Sequence, residues 1–350
     1  MVHYRKACLK TSALACALLA GAVAPLTFAA APTTEGVAAA PNPELSPPPA
    51  AKEALLFASP TTRDHVGRVV VPVTINGQGP FRFIVDTGAN HSTISPQLVR
   101  ALKLETEEGP SVTLNGITGA GQVSYVAIDS LRAGDFALED TVLPVVAESV
   151  MAGADGILGA AEIANKSLLI DFQHNHVAIA PFMGSAARRQ GVKIQAARVA
   201  GGLIVLNAMV GRVPVRAVLD TGAERSLGNL ALRDAVRSQA RQTKAVTAEL
   251  TSVYGATQEI EAGEIVRVPT ISIDALRITD ASLVYGDFHI FEVWELQNEP
   301  ALILGMDVLG TLAALNIDFK NLAVYAGNVM PAGGSLVQSG PQHLSNIGRH

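Results

Sequence analysis

Two identical Asp-Thr-Gly-Ala segments are the residues of this sequence best suited to chemistry. They occupy residues 86–89 and 220–223, and each follows an apolar run, in FIVDTGANHST and in AVLDTGAERS. A strand that ends in Asp-Thr-Gly turns sharply at the glycine and projects its carboxylate at the edge of the sheet. Two carboxyl groups about 3 Å apart do not both ionise readily, so they share one proton. The ionised one can draw a proton from water while the protonated one polarises a carbonyl, which is chemistry for hydrolysing an amide.

The segments that lead into the two Asp residues repeat as well. GRVVVPVTINGQGPFRFIVD covers residues 67–86, and GGLIVLNAMVGRVPVRAVLD covers residues 201–220. Both are apolar and rich in β-formers around a tight turn, and neither has a helical period. Asn76-Gly77 supplies the pair of positive φ angles that a two-residue hairpin needs, and residues 210–212 occupy the matching place. We therefore predict a β-hairpin before each Asp, with the apolar residues behind it in the core: Ile84, Val85, Val218 and Leu219.

The repeat continues downstream of each Asp. A motif of two apolar residues and a glycine ends at Gly159 and again at Gly305, followed by a short helical stretch. An Ile-Asp-Phe strand then occurs around Asp171 and around Asp318. The spacing is longer in the second half, which indicates an inserted loop that includes residues 298–300. The chain is thus predicted to be a tandem duplication of one β-rich lobe, over residues 52–184 and 192–327.

These motifs together resemble the pepsin and retropepsin aspartic proteases. The alanines at 89 and 223 and the small lobes are more similar to the retropepsin branch. The resemblance implies a mainly all-β fold of two tandem retropepsin-like β-barrel lobes with a short helix each, related by a pseudo-twofold axis. It also implies an aspartic endopeptidase in which Asp86 and Asp220 activate water, without metal or other cofactor.

The resemblance assigns further roles to matching positions. The threonines of the two turns would hydrogen-bond across the axis, and glycines in and behind the turns would leave room for the carboxylates and for a neighbouring strand. These supporting residues are Thr87, Gly88, Thr221, Gly222, Gly159 and Gly305. The residues expected to contact substrate lie beside the turns or in candidate flaps: Asn90, Glu224, Gly116, Ile117, Tyr254 and Gly255.

The two flap candidates are residues 114–119 and 252–256, and ordinary hairpins are the alternative. Tyr254-Gly255 is similar to the flap Tyr-Gly of pepsin-like enzymes, but it lies in the second lobe instead of the first.

The terminal segments differ in composition from the two lobes. A basic start, an apolar run over residues 13–26 and small residues after it predict a cleaved secretory signal peptide over residues 1–29. An uncleaved membrane anchor and a lipoprotein modified at Cys16 are the alternatives. Residues 30–51 are rich in Ala and Pro and predict a linker, and residues 328–350 predict a loose tail. We therefore expect a periplasmic or secreted protein.

Charge and cysteine content exclude several classes of function. The net charge is −5, and no basic run is longer than Arg188-Arg189, so nucleic acid is not an expected partner. The only cysteines, Cys8 and Cys16, lie in the predicted signal peptide, so the exported chain would have no cysteine nucleophile and no disulfide. The expected partner is a polypeptide substrate, such as an envelope protein, and two motifs in one chain favour a monomer.

Three competing interpretations carry less weight. His174-Asn175-His176 has a spacing open to a metal site, but it falls where the second lobe has a strand turn. His91-Ser92 cannot form a serine triad, because adjacent residues of a strand point in opposite directions. A catalytically inactive binding module or inhibitor of the cell envelope would be expected to have lost an Asp or Gly, and here both triplets are intact.

Overall fold

The structure is a computed structural model that describes residues 57–64, 67–106, 112–182, 184, 191–199, 202–239, 249–257 and 259–327. The predicted signal peptide, linker and tail lie outside the described residues. Within the described ranges, no helix combines the length and apolar character needed to cross a membrane.

Strands dominate both halves of the chain. Those of the first half are β1 (Phe57–Pro60), β2 (Thr62–Arg63), β3 (Val69–Ile75), β4 (Gln78–Asp86), β5 (Thr93–Ile94), β6 (Val112–Asn115), β7 (Ala120–Val123), β8 (Tyr125–Ala133), β9 (Phe136–Pro144), β10 (Gly156–Gly159), β11 (Ser167–Asp171) and β12 (His176–Ala180). Those of the second half are β13 (Val192–Arg198), β14 (Ile204–Val210), β15 (Val213–Leu219), β16 (Leu227–Gly228), β17 (Glu249–Tyr254), β18 (Ile260–Arg267), β19 (Thr270–Ile273), β20 (Leu276–Thr279), β21 (Ser282–Tyr285), β22 (Ala301–Leu304), β23 (Ala314–Asp318) and β24 (Ala323–Ala326).

Short helices connect these strands. They are α1 (Pro96–Leu102), α2 (Glu148–Met151), a 3₁₀ turn (Ala161–Ile163), α3 (Leu230–Gln239), α4 (His289–Val293) and α5 (Met306–Leu309). The 3₁₀ turn and α5 occupy the predicted helical stretches after Gly159 and Gly305. The helices α1 and α3 after the Asp-Thr-Gly turns were not predicted. They begin at capping side chains, since Ser95 Oγ accepts from Leu98 N at 3.1 Å and Asn229 Oδ1 accepts from Leu232 N at 2.8 Å.

The predicted hairpins before the two Asp residues are confirmed. Asn76 and Gly77 join β3 to β4 with φ angles of 49° and 73°, as a turn that follows the twist of its strands requires. In the second half, β14 and β15 pair in the same way around Gly211, whose φ is 60°.

The second half repeats the strand pairing of the first. In the first half β4 pairs parallel with β10, and β10 pairs antiparallel with β5. In the second half β15 pairs parallel with β22, and β22 pairs antiparallel with β16. This shared arrangement confirms a mainly β fold of two retropepsin-like lobes.

An antiparallel sheet joins the two lobes. Its strand order is β1-β12-β11-β23-β24-β13, so three strands of the first half and three of the second lie side by side in one layer. The junction is the β11–β23 pair, in which Leu169 faces Asn316. Because backbone hydrogen bonds cross this junction, the lobes are held together at the side of the molecule formed by their last strands.

The hydrophobic core runs continuously through both lobes. The predicted core residues Ile84, Val85, Val218 and Leu219 are at most 1% exposed, so this prediction is confirmed. Residues 172–175 form the turn between β11 and β12. This agrees with the turn predicted at His174-Asn175-His176. Asn175 takes a φ of 50° there, and His174 Nδ1 lies 2.8 Å from Asp171 Oδ2.

The inserted loop of the second lobe is larger than residues 298–300. Residues 286–300 connect β21 to β22, whereas the shorter segment 145–155 connects β9 to β10 in the first lobe. The longer segment includes α4, which contacts β6 of the opposite lobe. The insertion therefore forms part of the wall between the lobes.

Candidate active site

The two Asp-Thr-Gly turns meet at the interface between the lobes. Asp86 ends β4 and Asp220 follows β15, and each lies beside the parallel strand that carries the downstream glycine. Both strands are central in their sheets, so the carboxyl groups are positioned by backbone hydrogen bonds on two sides. Asp220 is 7% exposed, and Asp86 is partly exposed to the cavity above it.

Backbone amides orient each carboxylate in the same way. Gly88 N and Ala89 N donate to Asp86 Oδ1 at 2.8 and 3.0 Å. Gly222 N and Ala223 N donate to Asp220 Oδ1, both at 2.9 Å. One oxygen of each carboxyl group is thereby held, and the other oxygen of each is left for the partner group or for a bound molecule.

Two threonines interlock the turns. Thr87 Oγ1 donates to Leu219 O at 2.8 Å and accepts from Thr221 N at 3.1 Å. Thr221 Oγ1 makes the mirror-image pair, donating to Val85 O at 2.7 Å and accepting from Thr87 N at 3.1 Å. Both side chains are fully buried. All four bonds cross between the lobes, so the two turns are held as one unit.

Glycine is required next to each Asp because the turns approach so closely. A Cβ at Gly88 would collide with the carboxyl group of Asp220, and a Cβ at Gly222 would collide with that of Asp86. Each glycine thus makes room for the carboxyl group of the opposite lobe.

Burial and mutual repulsion perturb the carboxyl pair. Burial raises the pKa of Asp86, and this rise is partly offset by hydrogen bonds from Gly88 N, Asp220 and Ala89 N and by the charge of Arg68. The pKa of Asp220 lies well above its ordinary value, because burial and the negative charge of Asp86 both favour its neutral form. Burial therefore raises the pKa of both carboxyl groups, and the two titrate as a coupled pair.

A second layer behind the turns involves residues that the sequence analysis did not select. Ser92 Oγ accepts from Gly159 N at 3.1 Å, and Ser226 Oγ accepts from Gly305 N at 3.0 Å. A Cβ at Gly159 would lie 2.6 Å from the carbonyl carbon of His91, so glycine lets β10 pass close behind the turn. Gly305 is in the same position against the backbone of Arg225.

Two partly buried carboxyl groups complete this layer. Ser92 N donates to Glu162 Oε1 at 2.8 Å, and Ser226 Oγ donates to Asp307 Oδ1 at 2.6 Å. Burial raises the pKa of both Glu162 and Asp307. The signal for the serines was present in the sequence, because each follows the Asp of its Asp-Thr-Gly turn by six positions.

The cavity above the carboxyl pair has a volume of about 680 Å³ and is lined by both lobes. Residues singled out in the sequence line it directly: Asp86, Gly88, Asn90, Gly116, Ile117, Asp220, Gly222, Glu224, Tyr254 and Gly255. Thr87 and Thr221 lie beneath the pair, and Gly159 and Gly305 lie behind it. The geometry therefore separates the predicted residues into a lining group and a supporting group.

Two hairpins, one from each lobe, cover the cavity and meet. They are β6–β7 and β17–β18, which contain the two flap candidates. Thr118 Oγ1 lies 3.2 Å from Thr257 Oγ1, and a Cβ at Gly255 would lie 3.0 Å from Thr118 N. The side chain of Tyr254 is 69% exposed although the residue borders the cavity, so its ring lies mainly in solvent.

A buried ion pair lies at the first-lobe side of the cavity and was also not anticipated. Arg68 lines the cavity, and its N and Nε donate to Asp64 Oδ1 and Oδ2 at 2.8 and 2.6 Å. Val70 pairs with Ile84 in the first lobe as Val205 pairs with Val218 in the second, so Val70 and Val205 are equivalent. Two residues earlier, Arg68 therefore corresponds to the buried Leu203. The two halves of the site are therefore not electrostatically equivalent.

The arrangement places two carboxyl groups beside one cavity that is lined by both lobes. Among the described residues, no group of three or more His, Cys, Asp or Glu side chains is placed to hold a metal ion. The chemistry that the carboxyl pair itself can perform is deprotonation of a water molecule and protonation of a carbonyl oxygen.

Comparison with known proteins agrees with this geometry. A sequence model of the aspartyl protease family matches residues 71–161 and 206–308, which together are more than half of the chain. Each matched segment contains one Asp-Thr-Gly turn and its downstream glycine motif. None of the curated proteins compared with the chain matches it.

Proposed function

The chain belongs to the aspartyl protease family, and from that premise we propose that it is an aspartic endopeptidase whose single active site is formed by Asp86 and Asp220. The observation that carries the proposal is the interlocked pair of turns, in which both carboxyl groups line one cavity between the lobes.

The proposed reaction begins with water between the two carboxyl groups. We assign Asp86 as the ionised member, which accepts a proton from this water as the water attacks the carbonyl carbon of the peptide bond. Asp220, the protonated member, donates its hydrogen to the carbonyl oxygen. The gem-diol intermediate then collapses as the amide nitrogen takes a proton from Asp86 and the C–N bond breaks, and Asp220 regains its proton from the gem-diol as the carboxylic acid product forms.

The amides around the site support this division of roles. Donors at Gly88 and Ala89 favour the charged form of Asp86. Asp220 has similar donors, but burial and the charge of Asp86 raise its pKa and favour its neutral form. The cover formed by the two hairpins would exclude bulk water, which strengthens these electrostatic interactions.

The proposal extends to the oligomeric state and the cellular location of the protein. We infer that residues 52–184 and 192–327 act together as a monomer, since each lobe contributes one carboxyl group. We also infer export to the periplasm or medium after cleavage of residues 1–29, and a polypeptide substrate. Mass spectrometry of the protein recovered from the native envelope fraction would test the export step, because an intact N-terminus would contradict it.

The direct test is cleavage of an unbiased peptide library by the full chain, with products identified by mass spectrometry. Asp86→Asn and Asp220→Asn should each abolish cleavage, because each removes half of the shared-proton pair. Asp135→Asn is the matched control, since Asp135 is exposed in the β8–β9 turn and its change should leave cleavage intact. Peptide binding without cleavage by the unaltered chain would instead support an inactive binding module or inhibitor.

A further inference from the structure

The two walls of the cavity occupy equivalent positions in the two lobes but differ in chemistry. Thr93 opens β5 and pairs with Ile157, and Leu227 opens β16 and pairs with Ile303, so Thr93 and Leu227 are equivalent by register. Both line the cavity. Because the carboxyl pair lies on the pseudo-twofold axis, equivalent wall positions lie at equal distances on either side of a bond held between the two Asp residues.

The first-lobe wall carries an unpaired polar atom. Thr93 Oγ1 is buried and has no hydrogen-bond partner among the described residues. Its neighbour Ile94 lies in the hydrophobic core, and successive side chains of a strand alternate, so Thr93 faces the cleft. The residues beyond it, Ala152 and Gly153, are small. A buried polar atom without a partner is costly, so this wall is suited to a ligand that supplies a hydrogen bond.

The second-lobe wall is apolar and larger. Leu227 takes the place of Thr93, and the inserted segment adds Ile290, Val293 and Trp294 to the lining. The ring of Trp294 is fixed against Phe291 in an edge-to-face contact, with centroids 6.3 Å apart and planes at 88°. This wall is therefore pre-formed and offers apolar contacts from Leu227, Ile290, Val293 and Trp294 to an apolar side chain.

We propose that the two walls of the cleft bind substrate side chains of different chemistry. The proposal rests on the proposed peptidase function and names its substrate class. A polar side chain that hydrogen-bonds, such as that of Thr, Ser or Asn, occupies the first-lobe wall against Thr93. A large apolar or aromatic side chain occupies the equivalent pocket between Leu227 and α4. The substrate is thus a polypeptide segment with a polar residue on one side of the cleaved bond and a bulky apolar residue at the mirror position.

The hydroxyl of Thr93 sets the expected size of the discrimination. A substrate Thr can pair with it, whereas an isosteric Val leaves it buried and unpaired. One net hydrogen bond of ordinary strength corresponds to a roughly five- to tenfold preference in kcat/KM.

The test compares the full chain with three variants on the same peptide library, followed by matched peptides that differ only by Thr or Val at the polar position. The unaltered chain should enrich polar residues at one position and large apolar residues at its mirror position. Thr93→Val should reduce the Thr-to-Val preference to about onefold, and Thr93→Ser, which keeps the hydroxyl, should retain it. Leu227→Thr should introduce a polar preference at the mirror position.

The ratio between matched peptides separates specificity from damage to the fold, because a merely destabilised enzyme loses activity on both peptides equally. The inference is overturned if the unaltered chain cleaves with the same preference on both sides, or if Thr93→Val keeps the Thr-to-Val ratio. Absence of any cleavage by the unaltered chain would overturn the proposed function itself, and the inference with it.

Discussion

The interlock of the two turns allows the sharpest test of how the lobes are held together. Thr87→Val removes one hydroxyl oxygen while keeping the shape of the side chain. The change leaves Thr221 N without its acceptor, which lies at 3.1 Å, and Leu219 O without its donor, which lies at 2.8 Å. A buried polar group left unpaired costs about 1–3 kcal/mol, so the free energy of unfolding should fall by about 2–6 kcal/mol.

The control for this prediction is Thr87→Ser, which keeps the oxygen and loses one methyl group. Its expected cost is about 1 kcal/mol. Thr221→Val should resemble Thr87→Val, because the bonds of Thr221 to Val85 O and Thr87 N mirror those of Thr87.

Urea unfolding of the full chain provides the measurement. Fluorescence of Trp294, the only tryptophan, follows the second lobe, and circular dichroism follows the strands of both. Separation of the two transitions in Thr87→Val would show that the interlock couples the lobes. Equal costs for Thr87→Val and Thr87→Ser would refute the reasoning, since the hydrogen bonds would then contribute nothing beyond packing.

Three further predictions concern the carboxyl pair and its surroundings. Burial and the charge of Asp86 raise the pKa of Asp220 above its unfolded value of about 3.9. Between the unfolded and the folded pKa the folded chain therefore binds more protons than the unfolded chain, so the free energy of unfolding falls as pH rises through that range. Asp220→Asn should therefore raise the melting temperature at pH 7 and flatten its fall with pH, and a lower melting temperature at pH 7 would contradict this sign. We expect the unaltered chain to have a mildly acidic pH optimum, and the double change Ala89→Ser with Ala223→Ser should move the acidic limb of the pH–rate profile to lower pH. The reason is that each new hydroxyl can donate a hydrogen bond to the carboxylates beside the existing amide donors. An unmoved acidic limb would mean that the alanines do not set the working pH. Val218→Ala should cost about 1–4 kcal/mol in urea unfolding, and a cost near zero would be inconsistent with its position in the core.

Local sequence was sufficient to predict the turns and their hairpins. The Asn76-Gly77 pair selects one kind of turn because few residues adopt two successive positive φ angles, and alternation then places Val85 in the core. The duplication predicted the two-lobe architecture, because a segment that repeats together with its flanking strands indicates a second copy of the same lobe. The repeat alone therefore pairs Asp86 with Asp220.

Helices α1 and α3 were missed for a different reason. Ser95 before Pro96 is a helix-start signal that the sequence contains, but both helices are short, and the capping bonds of Ser95 and Asn229 are defined only once the helix amides are placed. The fact that Ser92 and Ser226 occur at equal distances after the two Asp residues was visible in the sequence, but their role against Gly159 and Gly305 requires the parallel strands to be placed.

The sequence by itself determined the repeat, the two carboxyl turns and the hairpins that lead to them, because these follow from backbone preferences and side-chain alternation over a few residues. Only the tertiary structure decided that the two hairpins over the cavity touch through Thr118 and Thr257, and that Arg68 reaches the cavity. It also decided that Thr93 lies in one wall while Leu227 and α4 form the other. These features join segments far apart in the chain, and their distances depend on how two whole lobes pack about an axis. No local pattern encodes that packing, because it is set by the sum of many weak contacts across the β11–β23 junction and the interlocked turns.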